Sequence, residues 1–384
     1  MKATDIENVE SAEFKSLMTP ELLKLGKVFK QNNYDIRLVG GAVRDLMLGK
    51  SPKDIDLASD ATPQKMQDIL SNAGIKTVPT GIEHGTITAV LNGEPFEITT
   101  LRSDDKTDGR KAEVSFITNW KEDARRRDLT YNAMSIDFEG RLYDYFDGMN
   151  DLQNKVSKFV GDPEERIKED YLRILRYFRF QSKIANPVWD DETIKAIKTN
   201  VLGLRKISAE RVWQEVSKML MGSNLDSILT YMNQTGVTGA IGLTTNNKEQ
   251  LDRITYDHPI VGLAVLVSDS NIGDRWKMSR GEKDLLHFLV TNKNTRLVQK
   301  TAEDMIIAGE DKAKLIALAQ MQGLRQLADM LVRFQPPAFP VQGRDLLDKG
   351  MTAGPSVGTA LDKLKSIWKD SNYKLSKQQL LDKL

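Results

Sequence analysis

Apolar and polar positions change their period along this chain. In "TPELLKLGKVFKQNN" the apolar residues recur at helical spacing, Thr19 is placed to cap the helix and Pro20 takes its first position. "YDIRLVGG" then reads as a strand running into a glycine turn, "AVRDLML" as a short helix and "KDIDLAS" as a second strand. "GTITAVL" and "FEITTLR" are further strands, and Asn92-Gly93 between them predicts a hairpin. From "DPEERIKEDYLRILRYFRF" onward the period is helical nearly to the end, punctuated at "QPPAFP" and "AGPSVG". The pattern predicts an α+β head with a mixed sheet, followed by a long all-helical remainder.

Composition narrows the function classes. A chain of 384 residues, 40% hydrophobic and 28% charged, is an ordinary globular protein of about two to four domains. Its 55 basic and 54 acidic residues nearly cancel, so any site for a polyanion must be local. There is no cysteine, hence no disulfide framework, thiolate zinc site or cysteine nucleophile. The three histidines, His84, His258 and His287, are too scattered in sequence to suggest a histidine-rich metal site. "MKATDIENVESAEFK" is acidic and has neither a signal-peptide core nor an arginine bias, and no apolar run of about eighteen residues occurs. These features predict a cytoplasmic chain without membrane contact.

The densest chemistry lies in "LVGGAVRDLMLGKSPKDIDLASDATP". If "KDIDLAS" is a strand, Asp54 and Asp56 share one face about 7 Å apart, from a rise of roughly 3.3 Å per residue. Two carboxylates so placed suit magnesium, which takes oxygen ligands and leaves positions for phosphates; the same alternation also describes a solvated strand face. Gly40 and Gly41 would let backbone N–H groups approach a phosphate, with Arg44 on the following helix offering charge to it.

With these segments in their order, the chain resembles the class II tRNA nucleotidyltransferases, the CCA-adding enzymes of the polymerase-β-like nucleotidyltransferase superfamily. The resemblance is carried by "GGAVRD…KDIDLASDATP", "GIEHGTITAV", "FEITTLRSDDKTDGRKAEVSF", "DARRRDLTYNAMSID", "DYFDGMNDL", "RIKEDYLRILRYFRF" and "KISAERVWQEVSKML", and near the end by "GRDLLDKGMTAGPSVGTALDKL". It implies a nucleotidyltransferase head (1–150), a helical neck that recognises the base (151–222), a helical body (223–335) and a tail that binds tRNA (336–384). The implied activity is addition of C, C and A to tRNA 3′ ends from CTP and ATP, with Mg2+ and no nucleic-acid template. No obligate protein partner is indicated.

The resemblance also assigns residues. Asp54 and Asp56 become the metal ligands, and Glu97, opposite Phe96 and Ile98 on its strand, a third carboxylate that orients or deprotonates the attacking hydroxyl. Arg126, Arg127 and Asp128, with Asn132 beside them, become the ribose and triphosphate motif; Arg125 receives no role. Asp170 and Arg173, three apart on an expected continuous helix with an apolar stripe of Ile167, Tyr171, Leu175 and Phe178, present one acceptor and one donor fork. Such a pair matches the exocyclic amine and ring acceptors of cytosine and adenine, although the spacing also describes a plain helix ion pair. Arg176 continues that surface. "SDDKTDGRKAEVSF", with a turn at Asp108-Gly109, corresponds to the flexible loop of CCA- and A-adding enzymes and argues against CC addition alone. Poly(A) polymerases share the head, and an inert nucleotide- or RNA-binding relative would share the fold. In the helical remainder, Arg275, Lys277, Arg280, Lys283, Arg344, Lys349, Lys363, Lys365 and Lys369 are candidates for tRNA phosphates.

Overall fold

The computed structural model describes residues 4–6, 9–107, 112–184 and 186–384. The chain divides into two compact units, residues 1–248 with 275–278, and residues 249–274 with 279–384.

In the first unit the strands are β1 Thr4–Ile6, β2 Ile36–Val39, β3 Asp56–Ser59, β4 Lys76–Gly81, β5 Thr86–Leu91, β6 Glu94–Thr100, β7 Arg102–Thr107, β8 Ala112–Phe116, β9 Ser135–Ile136 and β10 Leu142–Asp144. Among the described residues, eight of them form one sheet in the order β1-β10-β9-β2-β3-β6-β5-β4, and β7 pairs with β8 separately. Neighbours in the large sheet run antiparallel except β3 and β6, which are parallel, so the sheet is mixed as expected. The β5–β6 hairpin turns on Asn92 and Gly93 with φ of 51° and 88°. Positive φ at both positions is what an Asn-Gly turn between right-twisted strands supplies.

Helices α1 Ala12–Leu17, α2 Pro20–Gln31, α3 Gly41–Met47, α4 Pro63–Asn72, α5 Trp120–Arg125 and α6 Gly148–Gln153 are interleaved with the strands. Thr19 accepts the Leu22 N–H at the start of α2, Pro20 takes the first position, and Leu22, Leu25, Val28 and Phe29 are buried. The cap and the apolar face therefore lie where the pattern placed them.

Helices α7 Pro163–Glu169, α8 Leu172–Gln181, α9 Asp191–Asn200 and α10 Ala209–Leu220 follow. The continuous helix expected across "EDYLR" is corrected here. Helix α7 stops at Asp170, whose backbone is extended at φ −151° and ψ 107°. Its carboxylate accepts the Leu172 N–H at 3.0 Å, a local bond that competes with helix continuation and starts α8 afresh. The apolar stripe survives the break, since Ile167, Leu175 and Phe178 are buried and Tyr171 is half-buried.

The second unit is helical. Pro259–Leu266 is buried nearly all round, Arg280–Thr291 begins with a Ser279/Glu282 capping box, and the non-helical "QPPAFP" is followed by helices Gly343–Asp348 and Pro355–Asp370. Trp368 packs with Leu346, Leu364 and Leu380 in the terminal core. Of the basic residues nominated for tRNA, Lys283 pairs with Asp274, Lys349 with Asp382, Lys365 with Asp362 and Lys369 with Asp304. Partly exposed pairs of this kind are worth only about 0–1 kcal/mol, weak enough to exchange a carboxylate for a phosphate. No helix among the described residues is long and apolar enough to cross a membrane.

Candidate active site

Strand β2 delivers the chain to Gly40, whose φ of 67° and ψ of −126° suit glycine. A Cβ there would stand 3.2 Å from Arg127 Nη1 and 4.0 Å from an Asp56 carboxylate oxygen. Backbone, guanidinium and carboxylate thus meet because this position has no side chain. Gly40→Ala is expected to cost about 1–3 kcal/mol in backbone strain and to displace Arg127. Urea unfolding and CTP titration check this; parent stability together with parent CTP affinity would count against it.

Asp54 and Asp56 both line a cavity of about 1150 Å³. The alternation argument for them is corrected in part. Strand β3 begins at Asp56, and Asp54 sits in the bend before it, because the Ser51-Pro52 segment and the turn that follows carry no ladder hydrogen bonds. Partial burial raises the Asp56 carboxyl above its usual range, Arg127 opposes that, and the Asp54 charge adds to it. A divalent cation would relieve this like-charge repulsion, so the pair fits one. Among the described residues no group of three or more His, Asp or Glu converges as a metal site. Two carboxylates match magnesium's habit of keeping waters and substrate phosphates. Glu97 lies on β6 as the register partner of Asp56, exposed between buried Phe96 and Ile98.

The arginines are held by a carboxylate that the sequence reading passed over. Asp123, only 2% exposed, accepts Arg126 Nε at 2.9 Å and Arg127 Nη2 at 3.1 Å. Its signal was available, since it stands on α5 and precedes the two arginines at the helix end by three and four residues, the helix-neighbour spacing. Arg125 is exposed and outside the cavity lining. From α7, Arg166 Nη2 donates to the carbonyls of Arg126 and Arg127 at 2.6 and 2.7 Å, fixing the backbone beneath them.

Asp128 is buried at the centre of a network. It accepts Asn132 Nδ2 at 3.0 Å and the Leu129 N–H at 2.8 Å on one oxygen, and Arg176 Nε at 2.7 Å on the other. Burial would raise its carboxyl, but Arg176, Asn132 and the Leu129 amide outweigh burial and hold it below the usual range. Asn132 in turn accepts Arg44 Nη1 at 3.0 Å, and Arg44 also pairs with Asp45 at 2.7 Å. Arg176 faces Glu215 at 3.9 Å, and Arg179 meets Glu215 at 3.0 Å. The Arg44 guanidinium, expected to offer charge to a phosphate, is braced by Asn132 and Asp45.

Asp170 and Arg173 line the same cavity but do not pair with each other as adjacent helix positions would. Asp170 accepts Arg211 Nη2 of α10 at 2.7 Å. Arg173 pairs with Glu169 and donates to the Arg166 carbonyl at 2.9 Å. The helix break separates them and gives each its own support. Glu169, Arg179, Arg211 and Glu215 were not identified from sequence; Arg211 and Glu215 are four apart in "AERVWQE" and carried only a surface-pair signal. Gly40, Gly41, Arg44, Asp54, Asp56, Arg126, Arg127, Asp128, Asn132, Asp170, Arg173 and Arg176 all line one cavity, while Glu97 stands next to it on β6. The Asp108-Gly109 turn of the expected flexible loop lies outside the described residues.

Comparison with known proteins gives a consistent set. Residues 36–158 match the family described as Poly A polymerase head domain, and residues 190–241 the family described as probable RNA and SrmB-binding site of polymerase A. CCA tRNA nucleotidyltransferase 1, mitochondrial, of Danio rerio is 41% identical over 98% of this chain and 93% of its own length. Its Homo sapiens counterpart is 40% identical over 97% and 92%. The CCA-adding enzyme of Pediococcus pentosaceus is 32% identical over 86% and 89%. The Bacillus stearothermophilus CCA-adding enzyme solved with CTP superposes with a TM-score of 0.75 at 25% identity, covering 95% of this chain and 98% of that one. The expectation of a cytoplasmic chain is overturned by the mitochondrial relatives, which point to mitochondria instead. An acidic N-terminal stretch and the lack of a long apolar run are properties of folded sequence in any compartment, so composition did not decide the location.

Proposed function

The chain belongs to the CCA tRNA nucleotidyltransferases, and from that premise we propose that it adds C, C and A to tRNA 3′ ends from CTP and ATP with release of pyrophosphate. The observation carrying this reading is that Asp170 and Arg173, each braced from outside the pair, share one cavity with Asp54 and Asp56. A base reader made of protein side chains stands in the cavity of the transfer carboxylates, with no nucleic-acid template required.

Asp54 and Asp56 would hold Mg2+, which supplies charge stabilisation to the entering and leaving oxygens of phosphoryl transfer. Glu97, beside Asp56, orients or accepts the proton of the attacking 3′-hydroxyl. Arg126 and Arg127, anchored by Asp123, hold the triphosphate through their planar donor forks. Asp128 and Asn132 position Arg176 and Arg44 on the ribose side. Asp170 accepts from the exocyclic amine shared by cytosine and adenine, while Arg173 donates to their ring acceptors. Guanine and uracil offer carbonyls where that amine belongs, leaving Asp170 without a donor. The head (1–150) thus transfers and the neck (151–222) selects, while body (223–335) and tail (336–384) hold the tRNA.

The direct test supplies tRNA lacking its 3′ CCA with CTP and ATP, singly and together, and sequences the product ends. Addition of CC from CTP alone and CCA from both is expected. Runs of A would favour the poly(A) alternative, A added only to CC-ended tRNA an A-adding enzyme, and no addition an inert relative. Asp170→Ala is expected to lose about 10- to 100-fold of its discrimination against UTP and GTP, the scale of one unread polar group. Parent selectivity in that variant, measured by competing nucleotide pairs, would argue against reading of the base by Asp170.

A further inference from the structure

We propose that Lys183 and Lys218 form a second phosphate subsite in the same cavity, one that holds the backbone of the incoming RNA 3′ strand rather than the nucleotide triphosphate. This rests on the reading of the chain as a tRNA nucleotidyltransferase.

The first support is space. The cavity, at about 1150 Å³, exceeds the range of about 300–1,000 Å³ usual for a site holding one small ligand. The nucleotide residues occupy its head side and the N-terminal part of α8. A further part of its lining comes from the C-terminal ends of α8 and α10 and the residues just past them, where no role has been assigned: Ser182, Lys183, Lys218, Met221, Gly222 and Ser223.

The second support is which charges are already committed. Arg44, Arg126, Arg127, Arg173, Arg176, Arg179 and Arg211 each have a carboxylate partner within the protein. Lys183 and Lys218 form no ion pair among the described residues, yet they interact unfavourably with each other. Burial and Arg44 hold the Lys183 ammonium below its usual range; Asp45 opposes them, and Arg179 and Lys218 add to the effect. Asp45, which eases Lys183, is itself paired with Arg44, so among the described residues neither lysine has an ion-pair partner of its own. Lys50 and Lys53 carry no ion pair among the described residues either, but they lie on the chain entering Asp54, on the metal side.

The third support is rigidity. Ser223 donates to the Ser182 carbonyl from its N–H at 2.7 Å and its hydroxyl at 3.1 Å, joining the ends of the two helices. Gly222 is pressed so closely on Ser182 that a Cβ would fall 2.2 Å from its hydroxyl oxygen. The two lysines therefore project from a fixed rim. Met221, 44% exposed beside them, offers a polarisable surface to a base. Arg173 stands in the first turn of α8 and Lys183 two residues past its end, so the length of that helix, about 15 Å for ten residues, lies between the base reader and the lysine. An RNA strand whose 3′-hydroxyl reaches Asp54 and Asp56 brings its backbone phosphates into the same cavity, where two unpaired cations can hold one of them.

The test uses the full-length protein with Lys183→Gln, Lys218→Gln and the double variant, and Lys→Arg at each position to retain charge. Dissociation constants are measured for tRNA ending at the unpaired nucleotide before the CCA site, for tRNA with a blunt acceptor end, and for CTP, across a salt series. For the single-stranded end, the double variant is expected to lose about tenfold in affinity at physiological salt and about 1.4 in the slope of log affinity against log salt, the effect of two contacts. The Arg variants should restore both, and blunt tRNA should bind parent and double variant alike. An unchanged slope overturns the proposal. So does weakened CTP binding, which would assign the lysines to the triphosphate, or an equal loss for blunt tRNA, which would assign them to the duplex. Binding is read without turnover, so a chain that bound tRNA this way but added other nucleotides would sink the proposed activity and leave this inference standing. CCA addition with an unchanged slope would do the reverse.

Discussion

Asp56→Asn is expected to abolish incorporation of both CMP and AMP, with a loss on the order of 10³-fold or more. Charge stabilisation at a metal-assisted phosphoryl transfer is worth several kcal/mol, and each 1.36 kcal/mol or so is tenfold in rate. The change keeps the shape of the side chain and removes the charge that would hold the cation beside Asp54. It also removes a charge that burial disfavours and Asp54 repels, which together outweigh its attraction to Arg127, so folding should not suffer. Binding of tRNA should persist, since the proposed phosphate contacts lie elsewhere. Single-turnover incorporation of each labelled nucleotide, alongside tRNA binding, makes the measurement. Turnover within tenfold of the parent for either nucleotide would remove Asp56 from the metal site; equal collapse of tRNA binding would mean the substitution acted on the fold.

Asp123→Ala is expected to destabilise the first unit by about 3 kcal/mol and to weaken CTP binding by about tenfold or more, although Asp123 touches no substrate. Removing one partner of a buried ion pair leaves the remaining charge without compensation. Here two guanidinium groups, Arg126 and Arg127, lose their common anchor. The effect has a pH signature. Burial raises the Asp123 carboxyl, but Arg127 and Arg126 outweigh burial and hold it below its usual range. A carboxyl lowered by folding contributes fully above its unfolded pKa, near 3.9, and loses that contribution as pH falls through the lower folded value. The stability gap between parent and variant should therefore be level from neutral pH down to about pH 5 and close below about pH 4. Denaturant unfolding at several pH values measures it. A gap that stayed constant into strong acid would show that lost packing, not charge, produced the effect.

Both predictions depend on which parts of the molecule could be read locally. The sequence by itself determined the Asn92-Gly93 hairpin, the Thr19-Pro20 helix start, the glycine turn after β2 and the succession of sheet domain and helical remainder. Each of these is written in backbone preferences or in a period over neighbouring residues, and such signals act within a few positions. Its family motifs, which occur in order along the chain, also named the charged residues Asp54, Asp56, Arg126, Arg127, Asp128, Asp170, Arg173 and Arg176 of the cavity, though not the whole of its lining. Only the tertiary structure decided how those residues are held. Asp54 stands in a bend instead of a strand, since pairing with β6 reaches back only to Asp56. The helix through "EDYLR" breaks at Asp170, where a carboxylate satisfies the next helix's backbone and leaves an oxygen for Arg211, 41 residues away. Arg176 finds Asp128 across 48 residues. An ion pair at such separation depends on which helix packs on which, and the same Asp or Arg on an exposed face would look identical in sequence. The free cations at Lys183 and Lys218 emerged for the same reason: a charge is known to be without a partner only once every neighbouring element is in place.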